Sequence, residues 1–420
     1  MIWEYEPDYK ELEEPKADNV MISAEKEIQE VVKPYKLLYQ QEERLLGTVS
    51  NVAIEQLLTS FEKIELDELV YSNSNLLVTD VNKILTQPHH VTLFFTTDVP
   101  FEVFNELFNS SAKNAPNIVF NRLVINLGNI ATTNEVEFLF VSSNSQTVYK
   151  AVIDADDAVE LNNVMQAQQE NMFVYEEFVR ENELSLYLPK DSQEVIQFTY
   201  VIDGYSHELF NSVLFSNPSI VKRSLETTAQ TTLEQYSDDM AVVIYDTEAK
   251  IMNYISLANN RYLMQDPASL LQNSFNFVND HGGFSTDYRL SAINPSSNVV
   301  EYQMYFQGYP VYSTFTLTRI VTTWGETQIN GYRRPYYFLD TDITTVKTVK
   351  EILSGADVMN YLRNQNLAKV KIDEVFVGYH LAKDPSTNVF ILEPSWFALS
   401  EGNWIRITSD TAGGDTRGLE

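Results

Sequence analysis

The sequence contains no cysteine, and it has only 14 glycines in 420 residues. Without cysteine there is no disulfide, no thiolate metal ligand and no cysteine nucleophile. The sequence also lacks the Gly-x-x-x-x-Gly-Lys, Gly-x-Gly-x-x-Gly and Gly-x-Ser-x-Gly motifs. These motifs hold phosphates, hold dinucleotides and present a serine nucleophile, respectively. The sequence therefore has no local signature of a nucleotide-binding protein or an α/β hydrolase.

Basic residues are also scarce, because 29 Lys and Arg stand against 59 Asp and Glu, for a formal charge of −30. A field of this sign repels phosphate backbones, so we predict no binding to nucleic acid.

Domains usually span about 100 to 200 residues, and the chain length therefore predicts two to four of them.

No hydrophobic run is long enough to predict a membrane helix. A spanning helix needs about 20 mostly apolar residues, whereas the longest uncharged stretch, residues 302–318, contains Gly308 and Pro310. We predict strands there. The acidic start of the chain lacks the basic and apolar segments of a signal peptide. Residues 409–420 are small and Gly-rich and predict a flexible tail, whose closing Leu-Glu resembles a cloning scar.

The search for catalytic, cofactor-binding or metal-binding residues yields none. The 5 histidines are scattered and form no His-Glu-x-x-His pattern, so we interpret them as solvated or hydrogen-bonded imidazoles. Acidic clusters at residues 154–157 and 340–342 lack the central Gly and closing Glu of a calcium loop. The first predicts a helix start and the second an Asx turn. We therefore predict a protein without catalysis, cofactor or metal.

The patterning predicts an α+β protein of several domains. Residues 20–188 alternate strand-like runs with helical spacing and include no βαβ phosphate loop, which predicts an N-terminal α+β domain. Residues 1–19 are polar and predict an extended linker. Two further α+β domains are predicted at residues 189–318 and 319–408.

An internal repeat supports these later domains. The turn Asn-Pro-Ser-Ser-Asn-Val at 294–299 returns as Asp-Pro-Ser-Thr-Asn-Val at 384–389. A predicted helix precedes each turn, at 267–279 and at 346–364, and strands follow it. We predict a unit of one helix packed on a three-stranded antiparallel meander, present twice.

Aromatic residues supply the only candidates for a partner interface. In the strand 300–306, Tyr305 falls on the polar face, which allows a partner contact or ordinary exposure. Trp3, Tyr5 and Tyr9 lie outside any periodic segment, as aromatics do beside a membrane helix.

Five segments carry a resemblance to a known family: Phe-Ser-Asn-Pro-Ser-Ile-Val at 215–221, Gln-Tyr-Ser-Asp-Asp-Met-Ala-Val at 235–242, Ile-Met-Asn-Tyr at 251–254, Phe-Gln-Gly-Tyr-Pro-Val at 306–311 and Leu-Glu-Pro-Ser-Trp-Phe at 392–397. In these segments the chain resembles the YycH (WalH) family. The opening Ile-Trp-Glu-Tyr-Glu-Pro at 2–7 also looks like the segment that follows the single membrane helix of the family. These motifs are structural, and none is a catalytic signature.

The resemblance implies a regulator anchored on the outer face of the cytoplasmic membrane by an N-terminal helix that this sequence lacks. Such a regulator acts with YycI on the sensor histidine kinase YycG (WalK) of the YycFG (WalRK) two-component system. The resemblance also implies a multi-domain α+β ectodomain with later domains like those of YycI, and their layout resembles PepSY modules.

Two other function classes remain open at this point. One is an extracellular sensor that grips a peptide or wall fragment on an exposed sheet edge. The other is a hydrolase with an unrecognised carboxylate pair. The sequence also leaves open whether the kinase is activated or inhibited, which signal is sensed, which surface meets the partners, and whether the chain forms a homodimer.

Overall fold

The structure, a computed structural model, describes residues 23–66, 69–108, 118–228, 231–258, 263–343, 348–364, 371–384, 389–400 and 402–408. The predicted linker 1–19 and the predicted tail 409–420 lie outside these residues. The described residues form two lobes, each built on one large sheet. The first lobe spans residues 23–189, and the second spans residues 193–408.

The first lobe contains nine described strands and five described helices. Its strands are β1 (Lys36–Gln40), β2 (Leu45–Thr48), β3 (Val70–Ser74), β4 (His90–Pro100), β5 (Val119–Asn126), β6 (Glu135–Ser142), β7 (Thr147–Asp154), β8 (Phe173–Phe178) and β9 (Leu186–Pro189). Its helices are α1 (Asn51–Ser60), α2 (Val78–Leu85), α3 (Phe101–Phe104), α4 (Ile130–Thr133) and α5 (Val159–Gln168). Short 3-10 turns lie at Ile28–Glu30, Phe61–Lys63, Asn105–Leu107, Ala155–Ala158 and Gln169–Asn171.

The strands of the first lobe form an antiparallel sheet in the order β3-β7-β6-β5-β4-β1-β2-β8-β9. Helix α1 begins after Ser50, whose side chain accepts a hydrogen bond from the Ala53 amide, and such a cap satisfies a donor that the helix cannot. Leu57 of α1 and Leu161 of α5 are buried in the core on one face of the sheet. Both faces of this sheet are covered, because the opposite face meets α2 and the second lobe.

The second lobe contains fifteen described strands and three described helices. Its strands are β10 (Gln193–Gly204), β11 (Lys222–Thr227), β12 (Thr232–Ser237), β13 (Ala241–Asp246), β14 (Ile251–Ser256), β15 (Asp287–Asn294), β16 (Val299–Phe306), β17 (Tyr309–Tyr312), β18 (Arg319–Trp324), β19 (Ile329–Pro335), β20 (Tyr337–Asp342), β21 (Thr348–Ile352), β22 (Glu374–Lys383), β23 (Val389–Ser400) and β24 (Asn403–Ile407). Its helices are α6 (His207–Leu214), α7 (Pro267–Asp280) and α8 (Gly355–Asn364), and a 3-10 turn lies at Pro218–Ile220.

The sheet of the second lobe follows the order β11-β12-β13-β14-β19-β18-β16-β17-β22-β23-β10-β20, with β15 on β16, β21 on β10 and β24 on β23. The two predicted meanders are present as β15-β16-β17 after α7 and β22-β23-β24 after α8, and each is antiparallel. They join where β17 runs parallel to β22. The α+β class and the repeated helix-and-meander unit are therefore confirmed.

One predicted helix is wrong over its first half. Residues 346–364 were expected to be helical throughout, but Thr348–Ile352 forms β21 and the helix begins only at Gly355. Strand β21 pairs antiparallel with β10, with Val195 opposite Lys350. The distant β10 thus offers hydrogen bonds that override the local helical pattern.

The predicted domain borders stay predictions. The first sheet ends with β9 at Pro189 and the second begins with β10 at Gln193. Strands β16 and β18, which lie on either side of residue 318, are hydrogen-bonded neighbours in one sheet.

Polar contacts fasten the two lobes to each other. Arg289 on β15 is 1% exposed, and its Nη1 donates to the Pro34 carbonyl at 3.0 Å. Its Nη2 also donates to the Asn51 side chain and to Asp287. A backbone hydrogen bond adds to this interface between the lobes, which we call the seam: the Leu290 amide donates to the Val31 carbonyl at 2.9 Å. The lobes therefore pack as one body rather than meeting at a loose hinge.

Candidate functional site

A cavity of about 590 Å³ lies between the lobes. The first lobe supplies β4, β5 and the segment that precedes β9, and the second lobe supplies β15, β16, β18 and the meander of β22 to β24. Ligand sites commonly have volumes of about 300 to 1,000 Å³ and favour the junctions between domains. This cavity is therefore the candidate functional site of the described residues.

A buried polar cluster lies at one side of the cavity. The Lys36 ammonium lies 3.2 Å from the Glu374 carboxylate, and the Tyr35 hydroxyl donates to the same carboxylate at 2.7 Å. Burial alone raises the pKa of Glu374, but Lys36, Arg122 and the Tyr35 bond together hold that pKa below its usual value. Burial lowers the pKa of Lys36. Glu374 therefore stays ionised and ties β22 to β1.

Arg122 on β5 is the second cation near this cluster. Its guanidinium carbon lies 4.5 Å from the centre of the Phe94 ring. Its Nη1 donates to the carbonyls of Phe95 and Asn121 at 3.1 and 2.8 Å. The charge of Arg122 helps to lower the pKa of Glu374, but Arg122 is in no ion pair with another described residue, so its guanidinium can bind an anionic group in the cavity.

The second lobe contributes both polar and aromatic surface. Arg319 on β18 forms a 3.5 Å ion pair with Glu301, and its buried Nε has no hydrogen-bond partner among the described residues. Tyr312, Phe376 and Trp404 form an aromatic wall, with ring centres 5.3 Å apart for Tyr312 and Trp404 and 4.3 Å apart for Phe376 and Trp404. The cavity can therefore hold a ligand that is part apolar and part charged.

Tyr305 belongs to this wall. The expectation that it is exposed on a polar strand face is wrong, because it is 3% exposed and the Arg289 guanidinium lies 4.3 Å from its ring centre. Both faces of β16 are buried, one by α7 and the other by the first lobe. Its role in a partner interface stays a prediction. Trp3, Tyr5 and Tyr9 lie outside the described residues.

Sequence reasoning missed the cluster of Lys36, Arg122 and Glu374. The only local signal was a charged residue inside an apolar strand: Arg122 is followed by Leu123 and Val124 in β5. Such a residue is almost never fully buried unless paired. Nothing in the sequence shows that β1, β5 and β22 meet in space.

The predicted absence of a metal site stays a prediction. Among the described residues, no group of three His, Asp or Glu side chains is placed to hold a metal ion. Asp154 caps the turn that follows it, since its side chain accepts from the Asp156 amide at 3.0 Å, and the helix-start interpretation is confirmed. None of the helices in the described ranges is long and apolar enough to span a membrane.

Comparison with known proteins places both halves of the chain in one family. Residues 1–172 match the model of the YycH protein N-terminal domain, and residues 183–413 match that of the C-terminal domain. A curated Bacillus subtilis protein, the two-component system WalR/WalK regulatory protein YycH, is 24% identical over 328 residues, which cover 76% of this chain and 70% of that protein.

The fold agrees with a solved structure. The crystal structure of YycH from Bacillus subtilis superposes with a TM-score of 0.78 at 19% identity, covering 93% of this chain and 99% of that one. At this identity the likeness establishes the fold alone. The two family matches extend over more than half of the sequence, and the chain therefore belongs to the YycH family.

Proposed function

We propose that this protein is a non-catalytic regulator of a two-component system of the WalR/WalK type. The observation that carries the proposal is its relation to the Bacillus subtilis protein of that description over 328 residues. The finer parts of the proposal are contact with the sensor histidine kinase YycG, joint action with YycI, and anchoring on the outer face of the membrane by an N-terminal helix.

The packing of the lobes supports a role by contact. Because Arg289 and Lys36 are buried in the seam between the lobes, a displacement of one lobe would move the other. A regulator that acts through a membrane helix needs two lobes that move together. Otherwise the end of the helix would move independently of the surface that binds the partner. Trp3, Tyr5 and Tyr9 are the proposed contacts nearest to the membrane.

The second lobe also offers a surface for a partner. All six residues of β11 are exposed, and in the described part of the chain β11 pairs with β12 alone. An unpaired strand edge can accept a strand from another protein. We propose this edge as a surface for the kinase or YycI.

Reconstitution in vesicles tests the proposal. The protein with its membrane helix, the kinase and YycI are combined, and the rate of kinase autophosphorylation is measured together with co-purification. We expect the rate to change by several-fold, in either direction, and the three proteins to purify together. A matched control carries an unrelated membrane helix. An unchanged rate without co-purification would contradict the proposal.

The cavity favours a second candidate function, an extracellular module that binds a peptide or wall fragment. A site between two fixed lobes is preorganised, and a ligand that fills it loses little free energy to rearrangement. Binding of short peptides by the full chain, measured without any kinase, separates this function from that of a scaffold that binds no ligand.

A further inference from the structure

We propose that Arg122 binds the C-terminal carboxylate of a short peptide in the cavity between the lobes. This inference rests on the second candidate function and not on regulation of the kinase. It concerns a site on β5 and the second lobe, and it names the group on the ligand that the site recognises.

One basic side chain of the cavity lining has no ion-pair partner among the described residues. Three basic side chains that line it have acidic partners: Arg180 pairs with Glu183, Arg319 with Glu301 and Lys371 with Asp373. The remaining acidic side chain of the wall, Glu374, pairs with Lys36. Arg122 is in none of the ion pairs of the described residues, so among the basic side chains of this lining it is the one without an ion-pair partner in the described chain. A ligand with a single negative charge would supply that partner.

Two N–H groups of Arg122 remain available to bind a carboxylate. Its Nη1 donates to two backbone carbonyls, and its guanidinium carbon lies 4.5 Å from the centre of the Phe94 ring. Its Nε and Nη2 donate to no acceptor within the described part of the chain. These two N–H groups point along one edge of the guanidinium, and a carboxylate can accept both at once. The fixed Nη1 means that little side-chain freedom remains to be lost on binding.

The rest of the cavity fits a peptide better than a small anion. Its volume of about 590 Å³ greatly exceeds that of a lone carboxylate or phosphate and falls in the range of drug-sized ligands. Tyr312, Phe376 and Trp404 offer apolar surface for side chains. The buried Nε of Arg319, which has no partner among the described residues, can donate to a backbone carbonyl of the ligand.

Two peptide pools test the inference on the full chain. One pool contains N-acetylated tripeptides with free C-terminal carboxylates, and the other contains the same tripeptides as C-terminal amides. Retained peptides are identified by affinity selection and mass spectrometry, and their dissociation constants are measured by calorimetry. We expect members of the acid pool to bind at about 100 µM or tighter, and their amides about tenfold more weakly.

Variants assign the preference to Arg122. In Arg122→Gln the acid and the amide should bind equally, whereas Arg122→Lys, which keeps the charge but not the planar fork, should retain part of the preference. The control Arg363→Gln removes an exposed arginine in the last turn of α8, outside the cavity lining, and should leave binding unchanged. The lysine variant keeps the test valid if the glutamine variant does not fold.

The outcomes separate the inference from the function on which it rests. Equal binding of acids and amides by the natural chain would overturn the role of Arg122 and leave peptide binding intact. Full acid preference in a folded Arg122→Gln would do the same. Failure of both pools to bind below about 1 mM would overturn the inference and the second candidate function together.

Discussion

Lys36 Nζ and Glu374 Oε1 lie 3.2 Å apart across the seam between the two lobes, with only 3% of the lysine side chain exposed. One residue lies near the start of the described chain and the other near its end. This pair therefore reports directly on whether the lobes are assembled.

Removal of Glu374 should destabilise the protein strongly. In Glu374→Ala, Lys36 is left buried without its counter-ion, and we expect a loss of about 3 to 5 kcal/mol in the free energy of unfolding. Urea denaturation followed by circular dichroism measures it. As a control, Glu160→Gln breaks the surface pair with Lys63, whose side chain is 67% exposed, and should change stability by less than about 1 kcal/mol. Equal losses in the two variants would contradict the buried pair.

Replacement of Arg289 should separate the lobes. Arg289→Met deletes the donors to the Pro34 carbonyl and to Asn51 and leaves Asp287 without its cation, so we expect a loss of about 3 to 5 kcal/mol. Limited proteolysis with sequencing of the fragments locates the opening. Cleavage should increase between β9 and β10 or in the exposed loops of the seam. A variant as stable and as resistant as the natural chain would contradict the fastening role.

Stability should fall on mild acidification because of His380. Burial, and then the charge of Arg406, lower the pKa of His380 from 6.5 to about 4. Its Nδ1 faces Arg406 Nη1 at 3.0 Å and must accept that bond in the neutral form. The folded state thus binds fewer protons than the unfolded state between these values, so stability present above pH 6.5 is lost as the pH falls towards 4. The loss is about 3 kcal/mol.

The variant His380→Gln isolates this contribution. Its free energy of unfolding should decrease less than that of the natural chain between pH 7 and pH 4.5, as measured by urea titrations at each pH. The slopes of the two proteins should coincide above pH 7. Parallel curves over the whole range would show that His380 titrates alike in the folded and unfolded chains.

A methyl group at Gly308 should strain the seam. Gly308 has φ +84, and a Cβ there would clash with the Val49 carbonyl oxygen of the first lobe. Gly402 has φ +81 but no atom within 4 Å of such a Cβ. We expect Gly402→Ala to lower the free energy of unfolding by about 1 kcal/mol and Gly308→Ala by about 2 to 4. Thermal denaturation of both variants measures the difference, and similar losses would exclude the clash.

Local patterns predicted the elements whose burial is decided locally. Helix α7 was expected at 267–279 and spans Pro267–Asp280, because Asp266 caps it and Leu271, Phe275 and Val278 bury one face. The meanders were predicted from their repeated turns, since turn chemistry is a local property. Strand β21 was missed because its hydrogen bonds go to β10, which lies far away in the sequence.

The candidate site could not be predicted in the same way. Alternation along β16 placed Tyr305 on the polar face of the strand, but Tyr305 is buried. A period of two distinguishes the faces of a strand but does not say what covers each face. Contacts such as Arg289 with Pro34 and Arg122 near Glu374 depend on the packing of the lobes, for which the sequence holds no periodic signal.

The pairing of β10 with β23 bears on how the chain folds. Phe198 lies opposite Leu392 in that pair, so the first strand of the second lobe finds this one of its partners only when β23 is present. The first sheet has no such requirement, because its pairings lie within residues 36–189. Contacts of long sequence separation slow folding. A chain that is synthesised from its amino end would therefore complete the first lobe early. The edge of β10 that pairs with β23 would stay exposed until the final segment of the chain has emerged. A chaperone would be needed in that interval.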